Sequence, residues 1–207
     1  MRTDTLVLGI GNVLWADEGF GVRAVAALNE GWRFPEGVVL MDGGTQGLYL
    51  LPMVQQARRM LVFDAIDYGL APGTIQVVKD GDIPSYLGIG KMSLHQSSFQ
   101  EVLALAQLSG QAPEHATLVG VQPELLMDFG GSLTDTVRAR LPEVLEIGLA
   151  QLREWGIEPV ARAPGEAAPL FDPSLAIDRY EGGRPPAEEA CRVGDPRFLP
   201  DLAGREA

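Results

Sequence analysis

A single cysteine, Cys191, occurs in the 207 residues. One thiol excludes an internal disulfide and any zinc site built on cysteines, and it fits a reducing compartment. Lying in a tail with no partner, it reads as an inert thiol. Basic residues are also scarce: 16 Lys and Arg stand against 28 Asp and Glu, a formal charge of −12. Binding of nucleic acid through a basic surface is therefore not expected, because neutralising phosphates takes clustered Lys and Arg. An acidic protein suits cations, basic partners or plain solubility. No apolar run approaches the roughly 18 residues a membrane helix needs. Leu6-Val7-Leu8 is too short for the core of a signal peptide and runs straight into a Gly-rich turn. A cytoplasmic protein without membrane attachment is expected. No internal repeat is visible.

What is there reads as an ordinary soluble chain, with 46% hydrophobic and 21% charged residues. The length supports one domain with a real core. Its organising stretch is Leu6 to Gly21, where a short apolar strand breaks at Gly9-Ile10-Gly11-Asn12 and restarts as a helix near Glu18. Strand, glycines, then helix is the first βα unit of an open α/β sheet, and such sheets bind ligands beyond the carboxyl ends of their strands.

The same layout recurs along the chain. Thr5 to Leu8 is nearly continuous in apolar residues, as a central parallel strand covered on both faces should be. Val38 to Met41 is a second strand, ending in an Asp42-Gly43-Gly44-Thr45 turn. A helix is expected over Leu48 to Arg59, with Pro52 in its first turn. Met60 to Phe63 is a third strand, ending at Asp64. Thr74 to Val78 suits an edge strand. A loop with Gly81, Pro84, Gly88 and Gly90 then delivers Ser93-Leu94-His95, ahead of a helix whose Ser98 and Glu101 have the spacing of a capping box. Thr117 to Val121 is a last buried strand, with His115 exposed just before it. Leu133 to Trp155 carries a long helical pattern, with Thr134 as cap, Pro142 splitting or kinking it, and Gly156 as its stop. From Pro159 onward the chain holds eight of its 15 prolines. The reading is therefore one α/β domain over residues 1–158, a twisted, mostly parallel sheet between helices. A Pro-rich extended or disordered tail follows over 159–207, with one short helix near Pro186 to Arg192.

Glu18, Asp42, Asp64 and His95 fall in four separate loops that such a sheet brings to one edge. Two carboxylates and an imidazole make an O,O,N donor set for a divalent transition metal, with positions left for outside ligands. Acids after strands also serve as helix caps, and a loop histidine also serves as a local hydrogen-bonding group. Spacing leaves these readings open. A dinucleotide turn at Gly9-Ile10-Gly11 is disfavoured: the fingerprint wants a glycine where Leu14 stands, and Asp17 and Glu18 would repel a phosphate.

Six segments, LVLGIGNVLWADEGFGVR, MDGGTQGLYLL, FDAID, APGTIQVV, Ser93-Leu94-His95-Gln96 and TLVGVQPE, stand in the order and spacing of the hydrogenase maturation endopeptidases. The chain resembles that family from about Thr5 to Ile157. The resemblance implies an endopeptidase, grouped with aspartic-type peptidases although no paired Asp-Thr/Ser-Gly signature is present. It would trim the C-terminus of the large-subunit precursor of a [NiFe] hydrogenase. It also implies a metal-binding trio at Glu18, Asp64 and His95 that recognises nickel already inserted in the precursor, and a role for Asp42 in the reaction or in substrate recognition. Nickel then arrives with the substrate, and a monomer is expected. A metal-delivery protein without proteolysis is the alternative.

Overall fold

The computed structural model describes residues 3–83, 94–163, 165–167 and 169–185, with the backbone alone at residues 3 and 94–98. Four strands run parallel: β1 (Thr3–Ile10), β3 (Val38–Gly44), β4 (Ala57–Ala65) and β6 (His115–Val121). The fifth, β5 (Ile75–Lys79), pairs antiparallel with β6, and the order across the sheet is β3-β1-β4-β6-β5. β1, β4 and β6 have neighbours on both sides, which is why their sequences are apolar almost throughout.

Successive strand residues face opposite sides of a sheet, and that alternation sorts the core into two layers. Leu6, Leu8, Ile10, Met60, Val62 and Leu118 face one way. They pack against α2 (Leu51–Gln56) through Val54 and against α3 (Leu94–Leu108) through Phe99, Val102 and Ala106. Val7, Leu61, Phe63, Val119 and Val121 face the other way. They meet α1 (Phe20–Gly31) through Phe20, Ala24, Val25 and Leu28, and α5 (Leu141–Glu154) through Val144, Leu149 and Leu152. Each such side chain taken fully from water contributes roughly 1.5–3 kcal/mol. The helix–sheet–helix sandwich follows from this burial on both faces.

Several expected boundaries move. β3 runs on through Asp42 to Gly44, and β4 starts at Ala57 and runs through Asp64 to Ala65, so both acids lie within strands rather than in turns beyond them. Pairing decides this: Asp42 is in register with Gly9 of β1, and Asp64 with Gly120 of β6. The helix expected over Leu48 to Arg59 is confined to a 3-10 turn, Gly47–Leu50, and α2, because Ala57 and Arg59 pair with Thr3 and Thr5.

His95 lies in the first turn of α3 rather than in a loop before it. Ser98 is already helical, so the Ser98–Glu101 spacing is no capping box. No Gly or Pro lies between Leu94 and Ser98 to stop the helix extending backward. The long pattern after Leu133 does split at Pro142: α4 (Asp135–Arg138) precedes α5, with Pro142 in the first turn of the latter. Thr134 caps α4 as expected, accepting from the Val137 N–H at 3.4 Å.

After Pro159 the chain carries short elements of its own. β7 (Val160–Ala161) pairs with β2 (Trp32–Arg33), and α6 (Ile177–Gly182) follows. Leu170 and Ile177 pack onto the α1/α5 layer. The helix expected near Pro186 to Arg192, Cys191 and the loop from Pro84 to Ser93 lie outside the described residues.

Candidate functional site

The carboxyl edge of β1 closes onto α1 through glycines. Gly11 has φ 127, and a Cβ there would stand 1.8 Å from the Glu18 carbonyl oxygen, so only glycine fits. Its neighbour's N–H, on Asn12, donates to that same carbonyl at 3.1 Å. A Cβ on Gly21 would lie 2.1 Å from the Phe63 carbonyl oxygen and 2.3 Å from that of Ile10. The start of α1 therefore sits directly on β1 and β4, and Glu18 lies in the 3-10 turn Ala16–Gly19 immediately before it.

Asp17, one residue before Glu18, is wholly buried. Its Oδ2 accepts from the Glu124 and Leu125 N–H groups, each at 2.9 Å, and from the Thr134 hydroxyl at 3.1 Å; its Oδ1 accepts from the Thr134 N–H at 2.7 Å. Four charge-assisted bonds tie the loop after β1 to the loop after β6. Trp15 and Phe129 add an edge-on ring contact at 5.3 Å between the same loops. Ala16 is held at φ 42, a conformation that costs about 1–2 kcal/mol for a residue with a Cβ, and these ties hold it there.

β3 carries a bulge at its functional end. Gly9 pairs with Asp42 and Ile10 with Gly44, leaving Gly43 as an extra residue. Bulges beside sites re-aim side chains. Here the Gly44 N–H donates back to Asp42 Oδ1 at 2.8 Å. Partial burial raises the pKa of the Asp42 carboxyl above its ordinary value, against the Gly44 N–H and the Arg23 charge, which both lower it. A carboxylate so raised is a better proton acceptor than an exposed one.

Alternation separates the acids. Asp42 follows Leu40 onto the α1 face and Asp64 follows Val62 onto the α3 face. β1 lies between their strands, and two strand spacings amount to about 10 Å. Asp42 and Asp64 thus cannot form a close pair of carboxylates sharing a proton. Asp64, wholly buried, instead shares its face with α3, whose first turn carries His95. Among the described residues no three His, Cys, Asp or Glu side chains gather into a metal-holding group. The His95 side chain lies outside those residues.

Three structural contributors escaped sequence reading. Asp17 is one. Gln122 is another, accepting through Oε1 from the Tyr68 and Leu70 N–H groups at 2.8 and 3.1 Å and donating through Nε2 to Asp67 at 3.0 Å, which fastens the loop after β4 to the end of β6. The third is Arg23 of α1, only 5% exposed, which donates to the Leu175 carbonyl and lies against the Tyr180 ring at 5.4 Å. The acids at strand ends were visible signals; an arginine at the first turn of an apolar helix was the one that could have been followed.

Carboxylates at the ends of parallel strands, with exposed Leu14, Leu48, Tyr49, Met127 and Phe129 in the loops that follow β1, β3 and β6, define an α/β protein whose candidate site lies at the carboxyl edge of its sheet. Its family follows from comparison with known proteins. The hydrogenase maturation protease family model matches residues 22–151. The hydrogenase expression/formation protein HoxM of Azotobacter vinelandii is 58% identical over 195 residues, 94% of each chain. The hydrogenase 2 maturation protease of Escherichia coli is 42% identical, covering 76% of this chain and 95% of that one. The solved structure of the hydrogenase maturating endopeptidase HybD from E. coli superposes with a TM-score of 0.73 at 40% identity, covering 77% of this chain and 98% of that one. The chain belongs to the hydrogenase maturation protease family. It is an endopeptidase of hydrogenase maturation, and the family implies a hydrogenase large subunit as its substrate.

Proposed function

We propose that this protein removes a C-terminal peptide from the nickel-loaded precursor of a [NiFe] hydrogenase large subunit, in the cytoplasm and as a monomer. The observation that carries the reading is Asp64, a wholly buried acid at the crevice on the same face of the sheet as the α3 turn with His95. A divalent cation brought against a carboxylate held away from water interacts with it strongly. Glu18 arrives from the glycine-closed loop above. Two carboxylates and an imidazole suit nickel while leaving positions for the precursor's own ligands.

The nickel here is part of the substrate. Docking brings it to Glu18, Asp64 and His95, while the exposed apolar side chains around the crevice meet the polypeptide. A precursor without nickel offers these side chains no cation and docks weakly. The scissile bond then lies towards the α1 face, where Asp42 takes a proton from a water attacking the carbonyl and returns it to the amine nitrogen as the C–N bond breaks. This makes the protein an aspartic-type peptidase working with one carboxylate. Dependence on the substrate's metal favours this division of labour, since a peptidase with a resident hydrolytic metal would have no need of it.

The test mixes the purified protein with nickel-loaded and nickel-free precursor and follows the precursor's mass. Shortening of the loaded form alone is the expected result, and Asp42→Asn should abolish it while nickel-dependent docking persists. Equal shortening of both forms overturns nickel recognition; transfer of nickel with no shortening of either overturns the peptidase mechanism in favour of metal delivery.

A further inference from the structure

Residues 125–129 show an exposure pattern opposite to that of a strand folded onto a core. Leu125, Met127 and Phe129 are exposed, while Leu126 and Asp128 between them are half-buried. Side chains two apart in an extended segment share one face, so three apolar side chains are presented to solvent together. Backbone bonds hold the segment in that pose. The Leu125 carbonyl accepts from the Asp17 N–H at 3.1 Å, the Gly130 N–H donates to the Leu14 carbonyl at 2.8 Å, and Phe129 forms an antiparallel bridge with Trp15. Exposed Leu14 extends the ridge onto the loop after β1. That loop also carries Glu18, whose N–H donates to the Trp15 carbonyl at 2.9 Å. The ridge is therefore fixed in place relative to Glu18.

Apolar side chains kept contiguous at a surface mark a contact with another macromolecule, and charge selects its kind. The stretches at the carboxyl edge of the sheet, residues 11–19, 42–50, 64–74 and 122–134, contain seven Asp and Glu and no Lys or Arg. An edge of one sign repels acidic partners and draws basic ones. We propose that Leu14, Leu125, Met127 and Phe129 form the docking surface for the hydrogenase large-subunit precursor, and that they receive an apolar segment of it flanked by Lys and Arg. The apolar contact holds the complex together, and the surrounding charge speeds the encounter and sets its orientation. This inference rests on the reading of the chain as the peptidase of that precursor, and it adds a contact beside the one made by nickel.

The experiment uses the full-length chain and its nickel-loaded precursor, and measures precursor binding at low and high salt, kcat, KM and melting temperature. The variants are Met127→Lys, Met127→Glu and, as control, Leu108→Lys. Met127 and Leu108 are 83% and 84% exposed, but Leu108 ends α3 just before the amino end of β6, away from the ridge. Met127→Lys is expected to weaken binding and raise KM about tenfold with kcat nearly unchanged, since it removes an apolar anchor and places a cation against a basic partner. Met127→Glu should lose less, because it keeps the sign of the edge. Leu108→Lys should match the parent, and added salt should weaken the parent's binding. Binding by Met127→Lys as tight as the parent's overturns the proposal, as does an equal loss in Leu108→Lys. Equal losses in Met127→Lys and Met127→Glu, or binding indifferent to salt, overturn the basic partner. If either Met127 variant melts lower than the parent, Leu14→Lys repeats the test from the loop after β1. Binding that Met127→Lys weakens, with no shortening of the precursor by the parent, refutes the peptidase reading and upholds the surface. Shortening by the parent that Met127→Lys matches refutes the surface alone, and a parent that does not bind the precursor refutes both.

Discussion

Thr134 grips Asp17 with both its backbone and its side chain: its N–H donates to Oδ1 at 2.7 Å and its hydroxyl to Oδ2 at 3.1 Å. The same hydroxyl accepts from the Val137 N–H and so caps α4. A helix start after β6 and the loop after β1 are thereby one unit. Substituting Asp17→Ala removes the shared acceptor of the Glu124, Leu125 and Thr134 donors. It should cost about 1–3 kcal/mol, since several hydrogen bonds to one buried carboxylate are lost together. Urea unfolding checks this, with the midpoint falling and activity falling with it.

Thr134 itself separates the cap from the clamp. Thr134→Ser keeps the hydroxyl and should stay within about 0.5 kcal/mol of the parent. Thr134→Ala loses the cap bond to Val137 and one bond to Asp17 while keeping the backbone donor, and should cost about 1–2 kcal/mol. Equal stability of the two variants would mean that the hydroxyl contributes nothing.

Gly21→Ala asks for a methyl 2.1 Å from the Phe63 carbonyl oxygen and 2.3 Å from that of Ile10. Neither backbone atom can give way without moving β1 or β4. A loss of at least about 3 kcal/mol is expected, because overpacking against backbone finds no rotamer to relieve it. Gly31→Ala, at the far end of the same helix with open space around it, is the control and should not destabilise.

Two carboxylates make opposite predictions with pH. Asp42 is raised by burial, so as a base it ionises above its ordinary 3.8, and the acid limb of kcat should lie above that value. Glu181 is lowered, chiefly by its hydrogen bond from Arg138. Its contribution to stability is fully present above its ordinary 4.5 and is lost as pH falls through the depressed value in the folded state. Glu181→Gln should therefore be less stable than the parent at neutral pH, and the difference should vanish in acid. Melting curves across the range from pH 7 to about pH 3 decide it.

The sheet was legible because buried parallel strands are written as apolar runs, and each of the expected strands over residues 5–8, 38–41, 60–63, 74–78 and 117–121 is present in a longer or slightly shifted form. Their ends were not legible. Where a strand stops depends on whether its neighbour still offers a partner, and β1 offers one to Asp42 while β6 offers one to Asp64. The start of α3 was misread for a related reason: the Ser98 and Glu101 spacing has the form of a cap, but form alone does not end a helix that nothing upstream interrupts.

By itself the sequence determined the alternation of strands and helices, the glycines that close the β1 turn, the split at Pro142 and which acids stand near the strand ends. These are local matters, set by side-chain period and backbone freedom. Only the tertiary structure decided that Asp42 and Asp64 face opposite sides of the sheet, that Asp17 binds residues more than a hundred positions away, and that Arg23 is covered by a segment near residue 175. Each of those depends on strand register or on a long-range contact, and a chain's own periodicity carries neither.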